Sequence, residues 1–124
     1  MDDLYHDLLL DLYRHPLHKE RPVDCDLAQS EHNPLCGETI EVFIKLDNNN
    51  NISAIGWQGD GCAISQAGAS LTADYARGKK ISTIQEIAPA NILGMLGLPE
   101  LNPTRQRCAL LALTAIKNAL AAKQ

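Results

Sequence analysis

A chain of 124 residues can bury one hydrophobic core but not two, so a single domain spanning residues 1–124 is expected. With 45% hydrophobic and 21% charged residues, its composition is that of a soluble globular protein and excludes a disordered chain. A formal charge of −4 without a long basic run argues against nucleic acid as a partner, and no apolar run is long enough to engage a membrane by crossing it.

The opening Met1-Asp2-Asp3-Leu4 is acidic and makes a poor signal peptide, so a cytoplasmic protein with reduced thiols is expected. Leu4, Leu8, Leu9 and Leu12 recur at helical spacing and predict an amphipathic helix from about Asp3 to Tyr13, ended by Pro16. His6, His15 and His18 lie in or just after it and read as solvated side chains. Residues Val23 to Ser30 alternate poorly but are compatible with a short strand, within which Cys25 reads as a small buried hydrophobe.

From Thr39 to Leu46 the alternation is clear: Ile40, Val42, Ile44 and Leu46 face one way, and Glu41, Phe43 and Lys45 the other. Asp47 and the four asparagines after it form a turn, because asparagine tolerates left-handed dihedrals and bonds its own backbone. Ile52 to Gln58 then pairs back as the second arm of a hairpin, with Trp57 opposite the first strand. Since the open ends of a hairpin meet, Gly59-Asp60-Gly61-Cys62 should lie beside Cys36-Gly37-Glu38.

A helix follows from Cys62 or Ala63 to about Arg77, with Ile64, Ala67, Leu71 and Tyr75 as its buried stripe and Gly78 as its C-cap. Ser82-Thr83-Ile84-Gln85 resembles a capping box at the start of a short helix that Pro89 stops. Ala90 to Leu96 predicts another, ended by Gly97. Asn102-Pro103 places an N-cap before a proline at the first helical position, and the last helix runs from there to about Ala121. Cys108, Leu111, Ala112, Ala115 and Ala119 share its inner face.

Three cysteines sit in unusual local chemistry. Cys36 follows a proline turn with Glu38 two positions on; Cys62 opens a helix after two glycines; Cys108 lies among Arg105, Gln106 and Arg107. Helix N-termini and nearby arginines favour thiolates, and three thiolates with one carboxylate suit Zn²⁺ or iron better than Mg²⁺ or Ca²⁺. Three other readings stay open at this level. One is inert, buried cysteines with the glycines serving turns alone; another is two disulfides among the four cysteines, although a chain of this size folds without them; the third is a nucleophilic thiol paired with His32, the histidine close in sequence to a cysteine of the set.

At these residues the chain resembles the U-type iron–sulfur cluster assembly proteins, the IscU/SufU/NifU N-terminal family, over nearly its whole length. Asn33-Pro34-Leu35-Cys36-Gly37 is similar to the first cysteine motif of that family, Gly59-Asp60-Gly61-Cys62-Ala63-Ile64-Ser65 to the second, and Arg105-Gln106-Arg107-Cys108-Ala109 to the third. The resemblance implies an α+β fold, a three-stranded antiparallel sheet with helices packed against it. It also implies a site of Cys36, Glu38, Cys62 and Cys108 that holds Zn²⁺, iron or a transient [2Fe–2S] cluster. The implied partners are a cysteine desulfurase, whose persulfide sulfur Cys108 would accept, and recipient apo-proteins or another cluster scaffold. The sulfur step would call for a partly exposed thiol of low pKa.

The chain departs from the family pattern in several places. Glu38 stands where the family usually has aspartate. Arg107 precedes the third cysteine where IscU-type members carry histidine and SufU-type members a basic residue, yet the 45 residues between Cys62 and Cys108 leave little room for the usual SufU insertion. Leu101-Asn102-Pro103-Thr104-Arg105 replaces the segment that IscU proteins offer to a chaperone, and Gly68 stands where serine is common. The expectation is therefore a scaffold and sulfur acceptor of iron–sulfur cluster assembly. The alternatives are a zinc-dependent sulfurtransferase of SufU type and a zinc-stapled binding module.

Overall fold

The computed structural model describes residues 2–34, 37–97 and 102–123, with side chains from Asp7 to Ala122 within those stretches. The side chains of Leu4, expected inside, and His6, expected in solvent, therefore lie outside the described residues. The element order is α1 (Asp2–Arg14), β1 (Leu27–Asn33), β2 (Glu38–Leu46), β3 (Ile52–Asp60), α2 (Ala63–Ala76), α3 (Ile81–Glu86), α4 (Pro89–Leu96), α5 (Pro103–Ala109) and α6 (Leu111–Lys123). The three strands form one antiparallel sheet in the order β1-β2-β3, the α+β architecture expected from the resemblance.

One face of the sheet carries Ile40, Val42, Ile44, Ile55 and Trp57, all buried, against Ala69 and Ala73 of α2 and Leu111, Ala115 and Ile116 of α6. The small residues of these helices let their axes approach the strands closely. A second cluster, formed by Leu12, Ile64, Ala67, Ile92, Leu93, Leu96 and Leu113, packs α1 and α4 on the far side of α2. Sandwiched between the two clusters, α2 is buried around most of its circumference, and Ser65, Gln66, Ser70 and Thr72 are inside as well. The expected narrow stripe is thus too narrow, and its members Leu71 and Tyr75 are only half-buried. Burying each large apolar side chain stabilises the fold by about 1.5–3 kcal/mol, enough in sum that the chain needs no covalent staple. Cys25, Cys62 and Cys108 are all free thiols.

The hairpin forms in the expected register. Val42 pairs with Trp57, Ile40 with Gly59 and Thr39 with Asp60. Its turn closes on Asp47, whose Oδ1 accepts the N–H groups of Asn49 (2.8 Å) and Asn51 (2.9 Å), while Asn50 takes a left-handed φ of 61°.

Four local expectations need correction, and Phe43 is buried on the face where alternation put it. The first strand starts at Leu27, not Val23, and Cys25 lies before it, half-buried. Phe43 points to the outer face yet is only 1% exposed, because residues 20–22 cross over it: the Arg21 guanidinium lies 5.0 Å from its ring, and a Cβ at Gly56 opposite would meet the Glu20 carbonyl. The Ser82 capping box does not form; α3 starts one residue earlier, after Lys80, which is held in a bridge to Asn51. The short helix begins at Pro89 rather than Ala90, its entry tied by the Ala88 N–H to Asn91 Oδ1. Finally, the last helix is two, broken at Leu110. There α2 presses against the chain so closely that a Cβ at Gly68 would stand 2.2 Å from the Ala109 carbonyl oxygen.

Candidate metal centre

The open end of the hairpin builds the site. Glu38 is the first residue of β2, and Cys62 follows β3 through Gly61 to become the N-cap of α2. Because Thr39 pairs with Asp60, the Glu38 side chain reaches the start of α2, where its Oε1 accepts the Cys62 N–H at 2.9 Å. A carboxylate at the positive end of a helix dipole is electrostatically favoured, and here it caps a backbone donor that no side chain within the helix satisfies. Gly61 makes room for it: a Cβ there would lie 2.2 Å from Ser65 Oγ and 3.2 Å from Glu38 Cδ. Ser65 Oγ and the Gln66 side-chain amide in turn donate to the Cys62 and Gly61 carbonyls, which sets the direction of this turn.

The third side chain arrives from the far end of the sequence. Asn102 caps α5 by accepting the Arg105 N–H at 2.9 Å, as expected, and Cys108 near the end of that short helix faces inward. One ligand atom each of Glu38, Cys62 and Cys108 lie within 4.8 Å of one another. Donors about 2.0–2.3 Å from a tetrahedral ion sit roughly 3.3–3.8 Å apart, so a small inward movement of side chains would bring all three onto one ion. Asn102, Thr104 and Arg105 complete a cleft of about 390 Å³ around them.

Exposure divides the two thiols. Cys62 is exposed, whereas Cys108 is 2% exposed and receives a hydrogen bond from Asn33 Nδ2 at 3.4 Å. The partly exposed thiol expected at Cys108 is therefore found at Cys62. Glu38 is 5% exposed. Burial alone would push its pKa up; the Cys62 N–H, with the two thiols and the Ser65 hydroxyl facing it, favours the ionised form and brings it below the ordinary value. Its Oε2 is buried and has no hydrogen-bond partner among the described residues. A buried anionic oxygen left in this way is costly unless a cation takes it up, and two sulfurs with one carboxylate are a donor set for Zn²⁺ or iron.

Cys36, the remaining expected ligand, lies outside the described residues. Asn33 and Glu38, which flank it in sequence, are paired across the β1–β2 ladder, and both border the Cys108 thiol. Arg105 lines the cleft as expected, but Arg107 lines a separate groove on the other side of α5, with His32, Pro34 and Leu110. The His32 ring is hydrogen-bonded to Thr39 Oγ1 at 2.8 Å and belongs to that groove, so it forms no nucleophile–base pair with Cys62 or Cys108. His18 bonds Asp74 of α2, far along the chain from the site. Sequence reasoning did not identify Asn33, Ser65 and Gln66 as supports of the site; the asparagine was visible only as part of a turn motif.

A small α+β domain with thiols and a carboxylate gathered at the open end of its hairpin is a class of candidate metal-handling protein. Residues 4–124 match the family model described as the NifU-like N terminal domain, and the chain belongs to that family. It is 32% identical over 120 residues to the iron–sulfur cluster assembly scaffold protein IscU 1 of Archaeoglobus fulgidus, covering 94% of this chain and 74% of that protein. It is 34% identical over 83 residues to the zinc-dependent sulfurtransferase SufU of Bacillus subtilis, covering 67% of this chain and 55% of that one. Among solved structures, a NifU-like protein (N-terminal) from Brucella abortus superposes with a TM-score of 0.81 at 18% identity, over 97% of this chain and 94% of that chain, and so shares its fold.

Proposed function

We propose that this protein is a scaffold of iron–sulfur cluster assembly that receives sulfur from a cysteine desulfurase and holds iron or a transient [2Fe–2S] cluster for delivery to recipient proteins. Cys36, Glu38, Cys62 and Cys108 are the proposed ligands. The observation that carries the reading is the convergence of Glu38, Cys62 and Cys108 within 4.8 Å, with one buried carboxylate oxygen that has no hydrogen-bond partner among the described residues. The match to a scaffold protein along 94% of the chain supports it. Sulfur transfer is an ordinary exchange step. A thiolate of this chain attacks the outer sulfur of the desulfurase persulfide, a new S–S bond forms on the attacking cysteine, and the desulfurase cysteine leaves as thiolate. Cys108 is the proposed acceptor, and because it is buried, its thiol must first become accessible.

The second reading is a zinc-dependent sulfurtransferase that relays sulfur to a separate scaffold. It draws on the similarity to SufU and on Arg107 before the third cysteine. Anaerobic reconstitution with Fe²⁺, cysteine and a cysteine desulfurase separates the two. A protein-bound [2Fe–2S] absorption spectrum, lost in Cys36→Ser and in Cys62→Ser, is the expected result. Retained Zn²⁺, no chromophore and a persulfide on this chain would replace the scaffold with the sulfurtransferase.

A further inference from the structure

The Asn33 side chain does something that neither the fold nor the proposed ligand set requires. It is 3% exposed, at the last position of β1, and its Nδ2 donates to the sulfur of Cys108, 75 residues away in sequence. Its backbone is committed as well: the Asn33 carbonyl accepts the Gly37 N–H at 2.8 Å, and its Cα pairs with that of Glu38. One residue thus fastens the β1–β2 turn with its main chain and the α5 thiol with its side chain. Turning Cys108 outward would break this bond, at the net worth of one hydrogen bond. Cys62, a few ångströms away, stands exposed.

We propose that Asn33 is a positioning residue for Cys108. Its amide holds the thiol turned inward and shielded, so that of these two thiols Cys62 meets solvent-borne electrophiles first and Cys108 reacts only after the Asn33 bond lets go. The latch exists before any metal or sulfur is bound, so it stands or falls separately from the cluster-assembly reading.

The test uses the full chain stripped of metal by a chelator. Alkylation by iodoacetamide is followed cysteine by cysteine through peptide mass spectrometry. In the wild type, Cys62 is modified well before Cys108. In Asn33→Asp, which keeps the shape but removes the donor, and in Asn33→Ala, alkylation of Cys108 rises about fivefold or more, the factor that one hydrogen bond of ordinary net strength places on a closed–open equilibrium. Cys62 and Cys25 keep their wild-type rates. An unchanged Cys108 rate in a folded variant overturns the latch, and so does an equal rise at all three thiols, which would report general loosening. A second measurement needs no Asn33 variant. The side-chain amide resonances of Asn33 shift in Cys108→Ala and stay in place in Cys62→Ala; amide signals indifferent to the loss of Cys108 overturn the proposal.

Discussion

Glu38 divides its two oxygens between two tasks. Oε1 accepts the Cys62 N–H at the head of α2, and Oε2 sits buried with no hydrogen-bond partner among the described residues. The two tasks can be separated by substitution. Glu38→Gln keeps an acceptor for the N–H but loses the charge, so thermal stability of the metal-free protein should stay near wild type while Zn²⁺ or Co²⁺ affinity, read by competition with a chromophoric chelator, falls at least tenfold. Glu38→Ala loses both and should also destabilise the metal-free fold by about 1–3 kcal/mol in chemical denaturation, the worth of a hydrogen bond to a charged acceptor. Unchanged affinity in both variants would remove Glu38 from the ligand set.

Two contacts between elements have measurable consequences. Gly68 lets α2 touch the Ala109 carbonyl at the break between α5 and α6, and that break aims Cys108. Gly68→Ala must push the two helices apart. Overpacking of this kind costs about 1–3 kcal/mol, and urea denaturation should show a loss of that size despite the better helix propensity of alanine. The β2–β3 turn supplies a pH dependence. The Asn51 N–H, assisted by Asn49 and the Asn51 side chain, holds the Asp47 carboxyl below its ordinary value of 3.8. A folded-state pKa below the unfolded one contributes stability that is present above about pH 4 and lost as pH falls through the lowered value. The stability gap between wild type and Asp47→Ala should therefore be widest at neutral pH and close on acidification below pH 4. A gap that persists in acid would locate the effect in something other than the ionised carboxylate.

At the scale of the whole molecule, the candidate ligands come from the start of β2, the head of α2 and the end of α5, elements that span most of the chain. A metal that binds only this folded arrangement must stabilise it by mass action, by about 2.7 kcal/mol at a hundred times its Kd, which for a domain of this size raises Tm by roughly 10 °C. Scanning calorimetry with and without Zn²⁺ checks this, and Cys108→Ser should abolish most of the increment. A Tm insensitive to Zn²⁺ and Fe²⁺ alike would argue that the three side chains do not act as one site.

The hairpin, its asparagine turn, the Asn102 cap and the adjacency of Glu38 and Cys62 were legible in the sequence, because each follows from a short-range pattern: alternation, side-chain–backbone bonding, or the meeting of a hairpin's open ends. The three cysteine motifs likewise pointed to the fold. Tertiary structure alone decided which thiol is exposed, that Arg105 and not Arg107 faces the cleft, that Phe43 is covered by residues 20–22, and that the last helix breaks at Leu110. The physical reason is common to all four. Burial and helix continuity depend on what packs against a residue from distant parts of the chain, and neither the backbone approach allowed by Gly68 nor the amide of Asn33 has a local signature that points to Cys108.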